Sequence, residues 1–261
     1  MTRLLVVDVG NTNIGLGYFL GDELQASWRL ATARERTADE YGVIARQLVL
    51  ETSSEPFEGA IVASVVPPLD SVIDSMIRQY FDLEPIFIRP GIRSGLAIRT
   101  ENPADVGADR IVNAVAAHEI YGGPSIVVDF GTATTFDLVS ENAEYRGGII
   151  APGMGISSEA LFARASRLPR IDLRRPDQLI GTNTVTSMQS GIYFGYLGLV
   201  DGILERMIDE VGVVKKVIAT GGIAAMFAEE SRYIEETDQE LTLKGLRIVF
   251  ERNRARKSRS R

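Results

Sequence analysis

Cysteine is absent from all 261 residues, and histidine occurs once, at His118. The first absence excludes disulfides, thiolate nucleophiles and cysteine-based metal sites, and the second excludes histidine-rich zinc sites. Lysine is nearly as scarce. It occurs only at Lys215, Lys216, Lys244 and Lys257, so nothing before residue 215 can supply a P-loop, Schiff-base or protein-kinase lysine. Phosphate chemistry in that part must rely on backbone N–H groups, arginines and metal ions. No apolar run approaches the roughly 18 residues of a membrane span, and Met1-Thr2-Arg3 leads into an apolar strand without a signal-peptide layout. No membrane association and a cytoplasmic location are therefore expected. Basic residues are outnumbered, and the net charge of −7 argues against nucleic-acid binding. The exception is the C-terminus, where residues 252–261 carry six basic side chains, and residues 251–261 are expected to form a solvated basic tail.

What is present is an ordinary globular composition, 45% hydrophobic and 24% charged, in a length suited to one large domain or two lobes. Alternation and turn residues predict strands over Leu4–Val9, Ile14–Leu20 and Leu24–Leu30, a β-meander. A helix over Thr37–Leu50, a strand over Ala60–Val66, a helix over Pro67–Phe81 and a strand over Glu84–Ile88 follow. A helix is expected over Pro103–Tyr121, and the meander then recurs over Ser125–Phe130, Thr134–Ser140 and Tyr145–Ile150. Helices over Ala151–Arg164 and Ser187–Val211, a strand over Lys215–Thr220 and a helix beginning over Ile223–Glu230 complete the pattern. The same unit occurs twice at a spacing far beyond solenoid periods, which predicts two related lobes, residues 1–122 and 123–250.

Both meanders open on an Asp-x-Gly turn. In the first, Asp8-Val9-Gly10-Asn11-Thr12-Asn13 ends a buried strand in a tight turn, where glycine admits a ligand close to the backbone and successive N–H groups face an anion. Its aspartate offers a carboxylate suited to magnesium. Taken alone the segment reads equally as a hairpin turn. In the second, Asp129-Phe130-Gly131-Thr132-Ala133-Thr134-Thr135 repeats the arrangement at the matching place. Two such turns facing each other suit a triphosphate and its metal without a lysine.

Three further segments stand out. Gly107-Ala108-Asp109-Arg110 lies near a helix start, where Asp109 is suited to accept a hydroxyl proton and Arg110 to bind a carboxylate, although an Asp beside an Arg is also a common surface pair. Gly181-Thr182-Asn183-Thr184 precedes a long helix and supplies an N-cap and hydroxyls. Ala219-Thr220-Gly221-Gly222 follows a strand, where glycines let a nucleotide base or ribose lie on the backbone. His118 reads as a packed helix residue, and the stripe Ile192, Leu199, Ile203 and Met207 as core or a dimer face.

Together with Gly147-Gly148-Ile149-Ile150-Ala151-Pro152-Gly153, these segments resemble, in order and over about residues 4–250, the type III pantothenate kinases. The resemblance implies an α/β fold with two related lobes of the actin-like (ribonuclease H-like) ATPase type, each a mixed sheet with helices, and a nucleotide cleft between them. It implies ATP-dependent phosphorylation of pantothenate in a homodimer, the first step of coenzyme A synthesis. By position, Asp8, Val9, Gly10, Asn11, Thr12, Asn13, Ile14, Gly15 and Thr132 would bind ATP, with Asp8 near Mg²⁺. Asp129 would hold a monovalent cation, potassium or ammonium. Asp109 would be the general base within the substrate segment Gly107, Ala108, Asp109 and Arg110, and Thr184 would reach substrate near the dimer interface. The chain departs from the family at Thr100, where many members place a substrate-contacting tyrosine. The alternatives are a non-catalytic nucleotide-binding regulator and a kinase of another small hydroxy-acid. Retention of Asp109, Arg110 and both turns speaks against the first, while Thr100 keeps the second open.

Overall fold

Strand β1 (Arg3–Val9) is buried along almost its whole length because both of its faces are covered. A computed structural model describes residues 1–254, and its packing divides the chain into two units, Met1–Ala116 with the chain from Glu240 onward, and Ala117–Gln239.

In the first unit β1 pairs antiparallel with β2 (Asn13–Leu20), which pairs antiparallel with β3 (Glu23–Ala31). On its other side β1 runs parallel to β4 (Gly59–Ser64), and β4 parallel to the short β5 (Ile86–Phe87). The strand order is β3-β2-β1-β4-β5. Helices α1 (Ala38–Leu50) and α2 (Pro67–Phe81) cover one face. There Leu5, Val7 and Val9 pack with Tyr41, Ala45, Ile73 and Ile77. Helix α1 begins with a full capping box, Thr37 Oγ1 accepting from Glu40 N–H at 3.3 Å and Glu40 Oε2 accepting from Thr37 N–H at 2.8 Å.

The short β6 (Ala97–Ile98) is followed by a single 3₁₀ turn at Pro103–Asp105, and α3 (Ala108–Tyr121) then carries the chain into the second unit. The second unit repeats the arrangement of β1 to β5. Strand β7 (Ser125–Phe130) pairs antiparallel with β8 (Ala133–Val139), which pairs antiparallel with β9 (Glu144–Pro152). After α4 (Met154–Arg164) and α5 (Thr184–Val211), β10 (Lys216–Gly221) runs parallel to β7. Helix α6 (Ala224–Ala228) leads to β11 (Glu236–Thr237), parallel to β10. Order β9-β8-β7-β10-β11 here matches β3-β2-β1-β4-β5, so the duplication expected from the sequence is present as topology. The core is aromatic: Phe227 stacks on Phe130 at 5.5 Å and on Tyr193 at 5.3 Å. Each such pair adds about 0.5–1.5 kcal/mol beyond its area burial.

Three boundaries differ from expectation. The helix expected from Pro103 starts at Ala108, because Asn102 Oδ1 caps the 3₁₀ turn through Ala104 N–H and Val106 is extended at φ −72°, ψ 123°. The long helix starts at Thr184 rather than Ser187, with Asn183 as its N-cap accepting from Thr186 N–H at 3.0 Å. The third difference concerns the division of lobes. Residues from Glu240 belong with the first unit, where α7 (Leu241–Arg254) lays Leu243, Leu246, Val249 and Phe250 against β1, β2 and β4. Residues 251–254, expected to open the tail, are the last turn of that helix, and Asn253 Nδ2 donates to Arg93 O at 3.1 Å. The rest of the expected tail, residues 255–261, lies outside the described residues.

Candidate active site

Asp8 is the penultimate residue of β1 and pairs across the meander with Gly15. The turn beyond it is closed by Gly10 N–H donating to Asn13 O at 2.9 Å. The end of β3 clasps it from outside: Thr32 N–H donates to Thr12 O at 3.0 Å, and Thr32 Oγ1 to Gly10 O at 2.7 Å. Arg34 Nη2 lies 3.5 Å from Asn11 Oδ1. Two carbonyls of the turn are thereby satisfied, while Asn11, Thr12 and Asn13 stay exposed at its tip. Val9 and Ile14 point their side chains into the core, which leaves only their backbone for a ligand.

The acceptor segment sits at the same edge of the same sheet. Val65, just past β4, donates its N–H to Val9 O at 3.0 Å, and Gly107 lies against the Val65 side chain. Gly107 thus stands beside the turn that Asp8 opens, at the C-terminal ends of the parallel strands β1 and β4, where α/β sheets bind ligands. Ala108 opens α3, Asp109 follows in its first turn, and Arg110 N–H donates to Asp109 Oδ1 at 2.8 Å. A carboxylate at a helix N-terminus is also favoured by the helix dipole. A Cβ on Gly107 would stand 2.6 Å from Asp109 Oδ1, so any larger residue there displaces that carboxylate.

In the second unit Asp129 is likewise penultimate in its strand, paired with Thr135 on β8 and with Thr220 on β10. Gly131 N–H donates to Ala133 O at 3.0 Å and Gly153 N–H to Thr132 O at 3.1 Å, so the second turn is also held through its carbonyls with Thr132 exposed. Gly221, expected at a nucleotide loop, abuts Asp129. Its φ is +92°, and a Cβ there would lie 2.7 Å from Asp129 Oδ1. Thr184 belongs to this unit as well, exposed at the start of α5 in an open groove of about 620 Å³ that Leu161, Leu168, Met188 and Ile192 also line.

Comparison with known proteins decides the family. The family model of the type III pantothenate kinases matches residues 4–206. The chain belongs to that family. It is 55% identical to the type III pantothenate kinase of Moorella thermoacetica, over 96% of this chain and 99% of that one. To the type III pantothenate kinase of Koribacter versatilis it is 53% identical, over 97% and 96%. Among solved structures, a conserved Baf family protein from Campylobacter jejuni aligns with a TM-score of 0.61 at 20% identity, covering 96% of this chain and 99% of that one. The activator of 2-hydroxyisocaproyl-CoA dehydratase from Clostridium difficile, solved with ADPNP, aligns at 0.57 and 13%, covering 99% and 97%. At these identities the two structures bear on the fold alone.

For a type III pantothenate kinase the donor set is lean. Among the described residues no three His, Cys, Asp or Glu side chains gather where they could hold a metal ion. Magnesium suits such a site, since it is commonly held by one or two carboxylates and completed by substrate phosphates and water. No helix among the described residues is long and apolar enough to cross a membrane. His118 lies on α3 with Nε2 3.2 Å from Glu141 O, a local contact within the second unit. Of the apolar stripe, Met207 is core, while Ile192, Leu199 and Ile203 pack against it half-buried.

Sequence reasoning missed three structural features next to the candidate residues: the Thr32 clasp, the seat of Gly221 against Asp129, and the buried carboxylate Asp137. Asp137 was the one with a visible signal, a charge inside the expected strand Thr134–Ser140, and it is buried on β8 together with Thr134, Phe136 and Val139.

Proposed function

We propose that this chain transfers the γ-phosphoryl group of ATP to the primary hydroxyl of pantothenate, giving 4′-phosphopantothenate in the first step of coenzyme A synthesis, with Asp109 as general base. The observation that carries the reading is the seat of Asp109, its carboxylate oriented by Arg110 N–H at a helix N-terminus beside the turn of Asp8. Asp8 and the backbone of Val9–Gly15 bind ATP phosphates, with Thr132 as a further ATP contact. Asp109 takes the proton of the attacking hydroxyl as the new O–P bond forms and the bond to ADP breaks. Arg110 pairs with the acceptor carboxylate, a bidentate match for a guanidinium. Gly107 and Ala108 admit the acceptor close to the backbone, and Thr184 contributes a hydroxyl to it.

Magnesium near Asp8 and a monovalent cation at Asp129 would neutralise charge developing on the phosphates. The homodimer reading draws support from the second unit, where Ile150, Leu179 and Ile180 are 64%, 65% and 81% exposed, with Ile156, Leu161 and Val185 also uncovered. A cytoplasmic location accords with a chain free of cysteine. The test is a coupled assay of ATP turnover with pantothenate against a panel of hydroxy-acids, with and without potassium. Turnover confined to pantothenate and raised by potassium is the expected result. Turnover with another hydroxy-acid alone, or none with any acceptor, rejects the reading.

A further inference from the structure

One face of the second sheet is built differently from the other. Ile126, Val128 and Phe130 of β7 and Phe136 of β8 belong to the aromatic core. Strand alternation therefore turns Val127, Asp129, Thr135 and Asp137 to the opposite face. There Thr135 stands directly across from Asp129 in the antiparallel register, at the separation of about 4.5–5.5 Å between Cβ atoms usual for such pairs. Two residues on, Asp137 is fully buried at 0% exposure. Its Oδ1 accepts a 2.6 Å bond from the Tyr145 hydroxyl, and its Oδ2 a 3.1 Å bond from Thr135 Oγ1.

We propose that Asp137 is a positioning residue which, by taking the hydrogen bond of Thr135, turns the Thr135 oxygen into a ligand of the monovalent cation at Asp129. The inference rests on the cation reading of Asp129. A hydroxyl has one hydrogen and two lone pairs, and a carboxylate only accepts. With its hydrogen committed to Asp137, the Thr135 oxygen offers electron density alone, which is what an alkali cation needs from a ligand that replaces its water. A carboxylate removed from water is costly to bury, and here it is held by the Tyr145 and Thr135 hydroxyls.

The experiment uses the full chain and reads the melting temperature against KCl concentration, with choline chloride holding ionic strength constant, alongside potassium activation of turnover at saturating substrates. Asp137→Asn and Thr135→Val are each expected to raise the potassium concentration for half-effect by about tenfold or more in both readouts, the usual size for loss of a ligand's orienting partner. Thr135→Ser restores the wild-type value, and Tyr145→Phe, which removes the Tyr145 bond to Asp137, leaves it unchanged. Wild-type potassium dependence in both Asp137→Asn and Thr135→Val overturns the proposal, as does an equal loss in Tyr145→Phe, which would mark Asp137 as merely structural. If Asp137→Asn fails to fold, the Thr135→Val and Thr135→Ser pair decides. A wild-type protein indifferent to potassium in melting and turnover rejects the cation reading of Asp129 itself, and this inference with it.

Discussion

A methyl group on Gly107 would stand 2.6 Å from Oδ1 of Asp109, closer than a real Cβ contact allows. The glycine is therefore part of the seat of the carboxylate, and the same oxygen accepts from Arg110 N–H at 2.8 Å. Gly107→Ala is expected to displace Asp109 and lower kcat by roughly 10–10²-fold, the scale at which misplacement of about an ångström acts. Melting temperature and ATP affinity should change little. Equal kcat in the variant and the wild type would show that the seat does not matter.

Phosphate binding without lysine is testable directly. Lys216 and Lys244 pair with Glu235 and Glu240 on the surface, and Lys257 lies outside the described residues. With all four lysines replaced by arginine or glutamine, ATP affinity measured by calorimetry should stay within about threefold of wild type, since surface pairs contribute about 0–1 kcal/mol. A large loss in a folded variant would contradict phosphate binding by the two turns.

The two turns were legible because an Asp, a Gly two residues on and a following hydroxyl recur at matching places in two meanders, and the topology repeats with them. Helix α7 was not. Gly245 interrupts its pattern, and its partners β1 and β4 lie some two hundred residues earlier, so neither its existence nor its membership of the first unit is a local property. The start of α3 was misplaced for a local reason. Pro103 mimics a first helical position, but the turn it opens closes after three residues and leaves Gly107 free to meet Asp109. Two-residue strands such as β6 and β11 carry too little alternation to be read.

Thr100, which stands where many members of the family place a tyrosine, has a buried hydroxyl with no hydrogen-bond partner among the described residues. An unsatisfied buried polar atom destabilises by about 1–3 kcal/mol. Thr100→Val is therefore expected to raise the melting temperature by about 2–4 °C, the shift that ~1 kcal/mol produces in a protein of this size. The KM for pantothenate should not change. A raised KM would reveal that the hydroxyl serves the acceptor after all.

Alkaline stability should depend on Tyr193. Burial, reinforced by a 3.0 Å contact with Glu230, pushes its hydroxyl up to about 12 from an ordinary value of 10.0. Because the folded value is the higher one, the contribution is complete below pH 10.0 and is lost as pH rises towards about 12. Unfolding curves in denaturant between those limits should show a shallower loss of stability for Tyr193→Phe than for wild type. Identical slopes would refute the assignment.

The most direct measurement is kcat of Asp109→Asn with ATP and pantothenate both saturating. Asparagine keeps the shape and the bond from Arg110 N–H but cannot accept the hydroxyl proton, so kcat should fall by about 10²–10⁴-fold with both KM values nearly unchanged. A variant that folds, binds both substrates and turns over at close to the wild-type rate would contradict the account at its centre.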